Sequence, residues 1–66
     1  MTAVVLAHPS RPVEVLHDGR WLPGWLEAYR RDGDKWRACV RYSAGVGMQY
    51  VQWRGEADVR PASSSE

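Results

Sequence analysis

The sequence predicts an all-β domain, a small five-stranded antiparallel barrel, on two observations. Residues 36–42 alternate without a break, with Trp36, Ala38, Val40 and Tyr42 on one face and Arg37, Cys39 and Arg41 on the other, the period-two pattern of a half-buried strand. Turn residues then recur at even spacing, as Asp18-Gly19, Arg31-Asp32-Gly33-Asp34 and Gly45-Val46-Gly47, which leaves no stretch long enough for the crossover helices of a parallel sheet.

Each element follows from local chemistry. Pro12 opens the first strand, where a proline is tolerated, and Val13 and Val15 alternate with Glu14 and Leu16. Asp18-Gly19 reverses the chain. The second strand, residues 20–30, sorts Leu22, Gly24, Leu26 and Ala28 inward against Trp21, Pro23, Trp25, Glu27 and Tyr29 outward. The first set is small and aliphatic, as a tight core requires, whereas the second holds a carboxylate and a proline. Gly24 in mid-strand marks the bend that lets short strands curl. On the fourth strand, residues 48–53, Val51 and Trp53 are expected to face inward and Met48, Tyr50 and Gln52 outward. Gly55-Glu56-Ala57-Asp58 suits a single 3₁₀ turn and Val59-Arg60-Pro61 a brief closing strand. The chain thus divides into a flexible N-terminal segment (residues 1–10), the barrel (residues 11–61) and a disordered tail (residues 62–66).

Composition limits the function classes. A chain of 66 residues is one domain and buries only about 60% of the surface its unfolded form exposes. A single cysteine, Cys39, excludes an intrachain disulfide and points to a reducing, cytoplasmic setting. It shares the parity of Arg37 and Arg41, so partial accessibility is expected. The apolar run Ala3-Val4-Val5-Leu6-Ala7 has no basic flank and is too short for a signal peptide or a membrane span, and no membrane partner is expected. A net charge of +1 argues against bulk DNA as the partner. Ser43 precedes a hairpin loop, Ser63, Ser64 and Ser65 lie in the tail, and His8 and His17 show no dyad spacing, so no catalytic residue is assigned and no enzyme is expected. His8, His17 and Cys39 are too scattered for a metal site, and no cofactor is implied.

The aromatic residues rise above this background. Four tryptophans and three tyrosines, each burying about 150–250 Å², are more than a barrel this small can hide. Some must meet water.

The run Val13-Glu14-Val15-Leu16-His17-Asp18-Gly19-Arg20-Trp21-Leu22-Pro23-Gly24-Trp25-Leu26, followed by residues 36–42 and by Asp58-Val59-Arg60-Pro61, resembles the Tudor and Agenet type of SH3-like barrel, within the Royal family, over residues 12–61. The resemblance implies a non-enzymatic binding module for a protein or peptide ligand. In that family, aromatic residues from the first turn and from the third and fourth strands form a cage for methylated lysine or arginine. By position these are Trp21, Tyr42 and Tyr50, with Trp25 at the rim and Asp18 adding opposite charge. The alternative expectation is weak, low-specificity nucleic-acid binding through Arg37, Arg41 and Arg54, with bases stacking on Tyr50 or Trp25. Nothing in the residues sets an oligomeric state.

Overall fold

Tight reversals convert the alternating segments into an antiparallel meander. In the computed structural model, which describes residues 3–62, the strands are β1 (Val5–His17), β2 (Arg20–Asp32), β3 (Lys35–Gly45), β4 (Met48–Gly55) and β5 (Val59–Pro61), with a 3₁₀ turn, η1 (Glu56–Asp58), before the last. The spatial order is β4-β3-β2-β1-β5. The sheet curls into an all-β half-barrel, consistent with a small SH3-like barrel. Between His17 and Arg20, Asp18 and Gly19 take φ of 51° and 75°, the pair of left-handed residues that a two-residue hairpin loop needs.

The core lies on the concave face. Val13, Val15, Val40 and Tyr42 are buried there, and Leu22, Leu26, Ala38, Tyr50 and Val59 pack against them. Leu22 and Leu26 face inward as alternation along β2 expects, and Ala38, Val40 and Tyr42 share one face of β3 as expected, whereas Ala28, expected inward, pairs with Cys39 on the outer face. Gly24 sits where β2 and β3 pass close together: a Cβ built on it would lie 2.9 Å from the Arg41 carbonyl oxygen, 2.9 Å from Tyr42 Cβ and 3.3 Å from Val15 Cγ2. Only a residue without a side chain lets β2 approach β3 this closely.

Two facings differ from the sequence expectation. In β2 the partner of Leu26 is Val40 but that of Ala28 is Cys39, so Glu27 is an extra residue, a β-bulge. Beyond it the strand's parity inverts, and Tyr29 pairs with Ala38 on the concave face instead of facing water. In β4, Tyr50 pairs with the buried Tyr42 and therefore faces in. Val51 and Trp53, expected inward, are 65% and 37% exposed. The β3–β4 loop carries its own register shift between Ser43 and Gly45, and a shift of one residue exchanges the two faces of a strand.

Residues 5–10, within the segment expected to be flexible, continue β1, pairing Val5 with Tyr29 and Leu6 with Ala28 before an irregular stretch up to Arg11 that includes a cis His8-Pro9 peptide. Ser10 Oγ donates to Glu27 Oε1 across that stretch at 3.0 Å. At the other end the Ala62 N–H donates to the Pro12 carbonyl at 3.4 Å, while the rest of the expected tail, residues 63–66, lies outside the described residues.

The glycine contacts yield a paired test by urea denaturation. Gly24→Ala should lower stability by about 1–3 kcal/mol, the usual cost of forcing an atom into a filled site. Gly55→Ala, at φ −69° with nothing within 4 Å of the added Cβ, should leave stability unchanged or raise it by less than about 1 kcal/mol.

Candidate ligand-binding site

The residues expected to form an aromatic cage are divided between the two faces of the sheet. Tyr42 and Tyr50 do meet, with ring centroids 5.4 Å apart, and His17 joins them at 5.5 Å from Tyr42 and 5.3 Å from Tyr50. The Tyr42 hydroxyl and His17 Nδ1 are 3.0 Å apart, within hydrogen-bond distance. Asp18 reaches this cluster only through His17 Nε2, at 3.7 Å. Tyr42 itself is 3% exposed, with the Arg54 guanidinium 6.0 Å from its ring centroid, so it presents no open face to a ligand. The cluster is the aromatic end of the core.

Trp21 and Trp25 lie elsewhere. Trp21 pairs with Leu16, on the opposite side of the sheet from the core pair Val15 and Leu22. There the Arg60 guanidinium covers its ring at 4.0 Å, held by a 2.6 Å bond from Arg60 Nε to Glu14 Oε1. Trp25 is 43% exposed on that same outer face, opposite Arg41. It borders a groove of about 480 Å³ that runs past Glu14, Pro23, Arg41, Ser43 and Gln49. Two more tryptophans are covered as Trp21 is, Trp53 by Arg30 at 4.8 Å and Trp36 by Arg31 at 5.3 Å. A ring face stacked by the chain's own guanidinium is closed to an external cation or base.

The three arginines of the nucleic-acid expectation are also split. Arg37 and Arg41 are on the outer face, where Arg41 Nε bonds Glu27 Oε2 at 2.9 Å and Arg37 approaches Asp32 at 3.9 Å. Arg54 pairs with Ala38 on the inner face and donates to the Leu16 carbonyl.

The concavity best suited to a ligand is one that alternation did not reveal. At the end of the concave face away from His17, a cavity of about 340 Å³ is floored by Val13, Leu26, Ala38 and Val59 and walled by Tyr29 and Trp36. The bulge at Glu27 creates it by turning Tyr29 inward, where its ring meets Trp36 edge-to-face at 5.7 Å and 65°. Glu56 Oε1 accepts the Trp36 N–H at 2.7 Å, which ties η1 to β3 across the mouth. Arg11, Arg37 and Arg60 also line it, with the Arg37 guanidinium toward Asp32 and the Arg60 guanidinium bound to Glu14. No periodicity signal marks this site, because Leu22, Gly24, Leu26 and Ala28 alternate smoothly through the bulge.

Two groups on the outer face have altered proton affinity. The Arg41 guanidinium, and after it the Ser10 hydroxyl, hold the Glu27 carboxyl below its ordinary range. Cys39 is partly buried, and that burial, then the charge of Glu27, pushes its thiol up. Among the described residues no three His, Cys, Asp or Glu side chains gather as a metal site, and no helix is long and apolar enough to cross a membrane. No protein-family model matches the chain, and no curated protein or solved structure matches it.

Since folding favours ionised Glu27, its contribution is complete above the ordinary carboxylate value and is lost as pH falls through the lowered folded-state value. Glu27→Gln should therefore destabilise the protein at neutral pH but much less at about pH 3, as read by urea unfolding at both. For Cys39, thiol-labelling rates at neutral pH should be slower in the folded chain than in urea, and faster in folded Glu27→Gln while still below the unfolded rate. Tyr42→Phe should cost about 1 kcal/mol by removing the hydroxyl that meets His17.

Proposed function

We propose that this chain is a non-enzymatic binding module that takes an apolar side chain of a protein or peptide partner into the Tyr29–Trp36 cavity. The observation that carries the reading is the cavity itself, floored by aliphatic carbon and walled by two aromatic rings, with Trp36 left 42% exposed at its mouth. Hollows that bind small groups have this form, an apolar interior with a few polar groups at the rim. Kinship with Tudor and Agenet barrels belongs to the same proposal. The half-barrel fold and the Trp21-Leu22-Pro23-Gly24 and Val59-Arg60-Pro61 runs support it, with the ligand site moved from the expected cage to Tyr29 and Trp36.

A methylated or otherwise cationic side chain is the narrower form of this ligand. Tyr29, Trp36 and the Glu56 carboxylate favour it, while Arg11 and the guanidinium of Arg31 on Trp36 oppose it. The balance favours an uncharged apolar anchor. Single-stranded nucleic acid on the outer face ranks lower, since Arg41 is held by Glu27 and Arg54 lies on the inner face.

The test is a peptide panel bearing aliphatic, aromatic, unmodified and methylated lysine or arginine anchors, titrated while side-chain NMR signals of Tyr29, Trp36 and Leu26 are followed. Selective shifts with the apolar anchors are expected, and Trp36→Ala should weaken binding about tenfold or more, the loss typical of an aromatic anchor. If no peptide moves those signals, the cavity is not the binding site.

A further inference from the structure

We propose that two copies of this chain associate by pairing their β4 strands antiparallel, joining two curled sheets into one. Among the described residues the sheet order leaves two open edges, β5 and β4, and they are built differently. β5 is three residues long, carries Arg60 and ends in Pro61, the devices that keep an edge from recruiting another strand. β4 is eight residues long and has no proline. Its one charged side chain, Arg54, is drawn inward to the Leu16 carbonyl and the Tyr42 ring. Met48, Val51 and Trp53 are 50%, 65% and 37% exposed along it. An edge with unpaired backbone and exposed apolar side chains is a template for strand addition.

The side chains of β4 select a second copy as the strand that is added. A two-fold axis through Gln52 sets Gln52 opposite Gln52 of the second copy. Val51 then falls opposite the second copy's Trp53, and Trp53 opposite its Val51. The two exposed apolar side chains thus cover each other twice, in the isologous manner of a two-fold interface. On the inner face the same axis sets Tyr50 opposite the second copy's Arg54, so no like charges meet. Trp53 is already held by the Arg30 guanidinium stacked on it at 4.8 Å, which fixes the surface that the second copy's Val51 would meet. None of the residues lining the Tyr29–Trp36 cavity comes from β4, so this association stands apart from the binding reading above.

Sedimentation equilibrium across micromolar to millimolar concentration tests the association. The mass should rise from monomer to dimer, and Val51→Lys, which sets a charge against the indole, should weaken dimerisation about tenfold or more with the circular dichroism of the fold retained. The register is tested in a Cys39→Ser background. Gln52→Cys places two thiols on the axis, with facing Cβ atoms about 4.5–5.5 Å apart, and should form a disulfide-linked dimer under mild oxidation. Gln49→Cys, opposite Gly55 in this register, should cross-link about tenfold more slowly or not at all. A chain that stays monomeric throughout, a dimer indifferent to Val51→Lys, or cross-linking as fast at Gln49→Cys as at Gln52→Cys would each overturn the proposal.

Discussion

The close passage of β2 over β3 at Gly24 is the constraint on which the rest of this half-barrel depends. With no side chain there, the Arg41 carbonyl and Tyr42 Cβ come within the distance a Cβ would occupy, and Val15 closes over the same point. That proximity lets Val15 and Val40 lose all contact with water and holds Tyr42 inside. Tyr42 in turn sets the position of Tyr50, its cross-strand partner, and of His17, which meets its hydroxyl. Three residues further along β2, the bulge at Glu27 changes which side of the strand faces in, and the Tyr29–Trp36 cavity is the result.

A core this small cannot enclose its large aromatic residues, and arginine takes part of the load. Arg60 on Trp21, Arg30 on Trp53 and Arg31 on Trp36 each lay a flat cation on an indole that would otherwise face water. Such stacks contribute about 0.5–1 kcal/mol each at exposed positions. The same stacks have a functional consequence, because they occupy ring faces that a cationic ligand or a nucleobase would need. What stays open is the apolar hollow beside Tyr29, together with Trp25 on the outer face.

Arg41 shows that alternation gives a side chain's face and not its partner. In the sequence it stands with Arg37 on an alternating strand and looks like half of a basic surface. In the fold it is bound to Glu27, the bulged residue, which Ser10 also contacts. The pair therefore links β3, the bulge in β2 and the irregular part of β1, and it anchors the point at which β2 changes face. The charge of Glu27 also bears on the neighbouring Cys39, whose thiol it helps to keep protonated.

By itself the sequence determined the all-β class, the hairpin turns, the strand positions from Pro12 onward, the inward facing of Leu22 and Leu26, and the shared face of Ala38, Val40 and Tyr42. Period-two alternation carries that much, because it states which residues of one strand share a face. Only the tertiary structure decided that Tyr29 and Tyr50 turn inward, that Trp21 lies across the sheet from Tyr42, and that Arg54 leaves the outer face. Alternation does not count bulges or loop register, and a slip of one residue sends every later side chain to the other face. The extra residue Glu27 is such a slip, and so is the irregular Ser43–Gly45 stretch before β4. Both are set by contacts between strands, which no single strand's pattern contains.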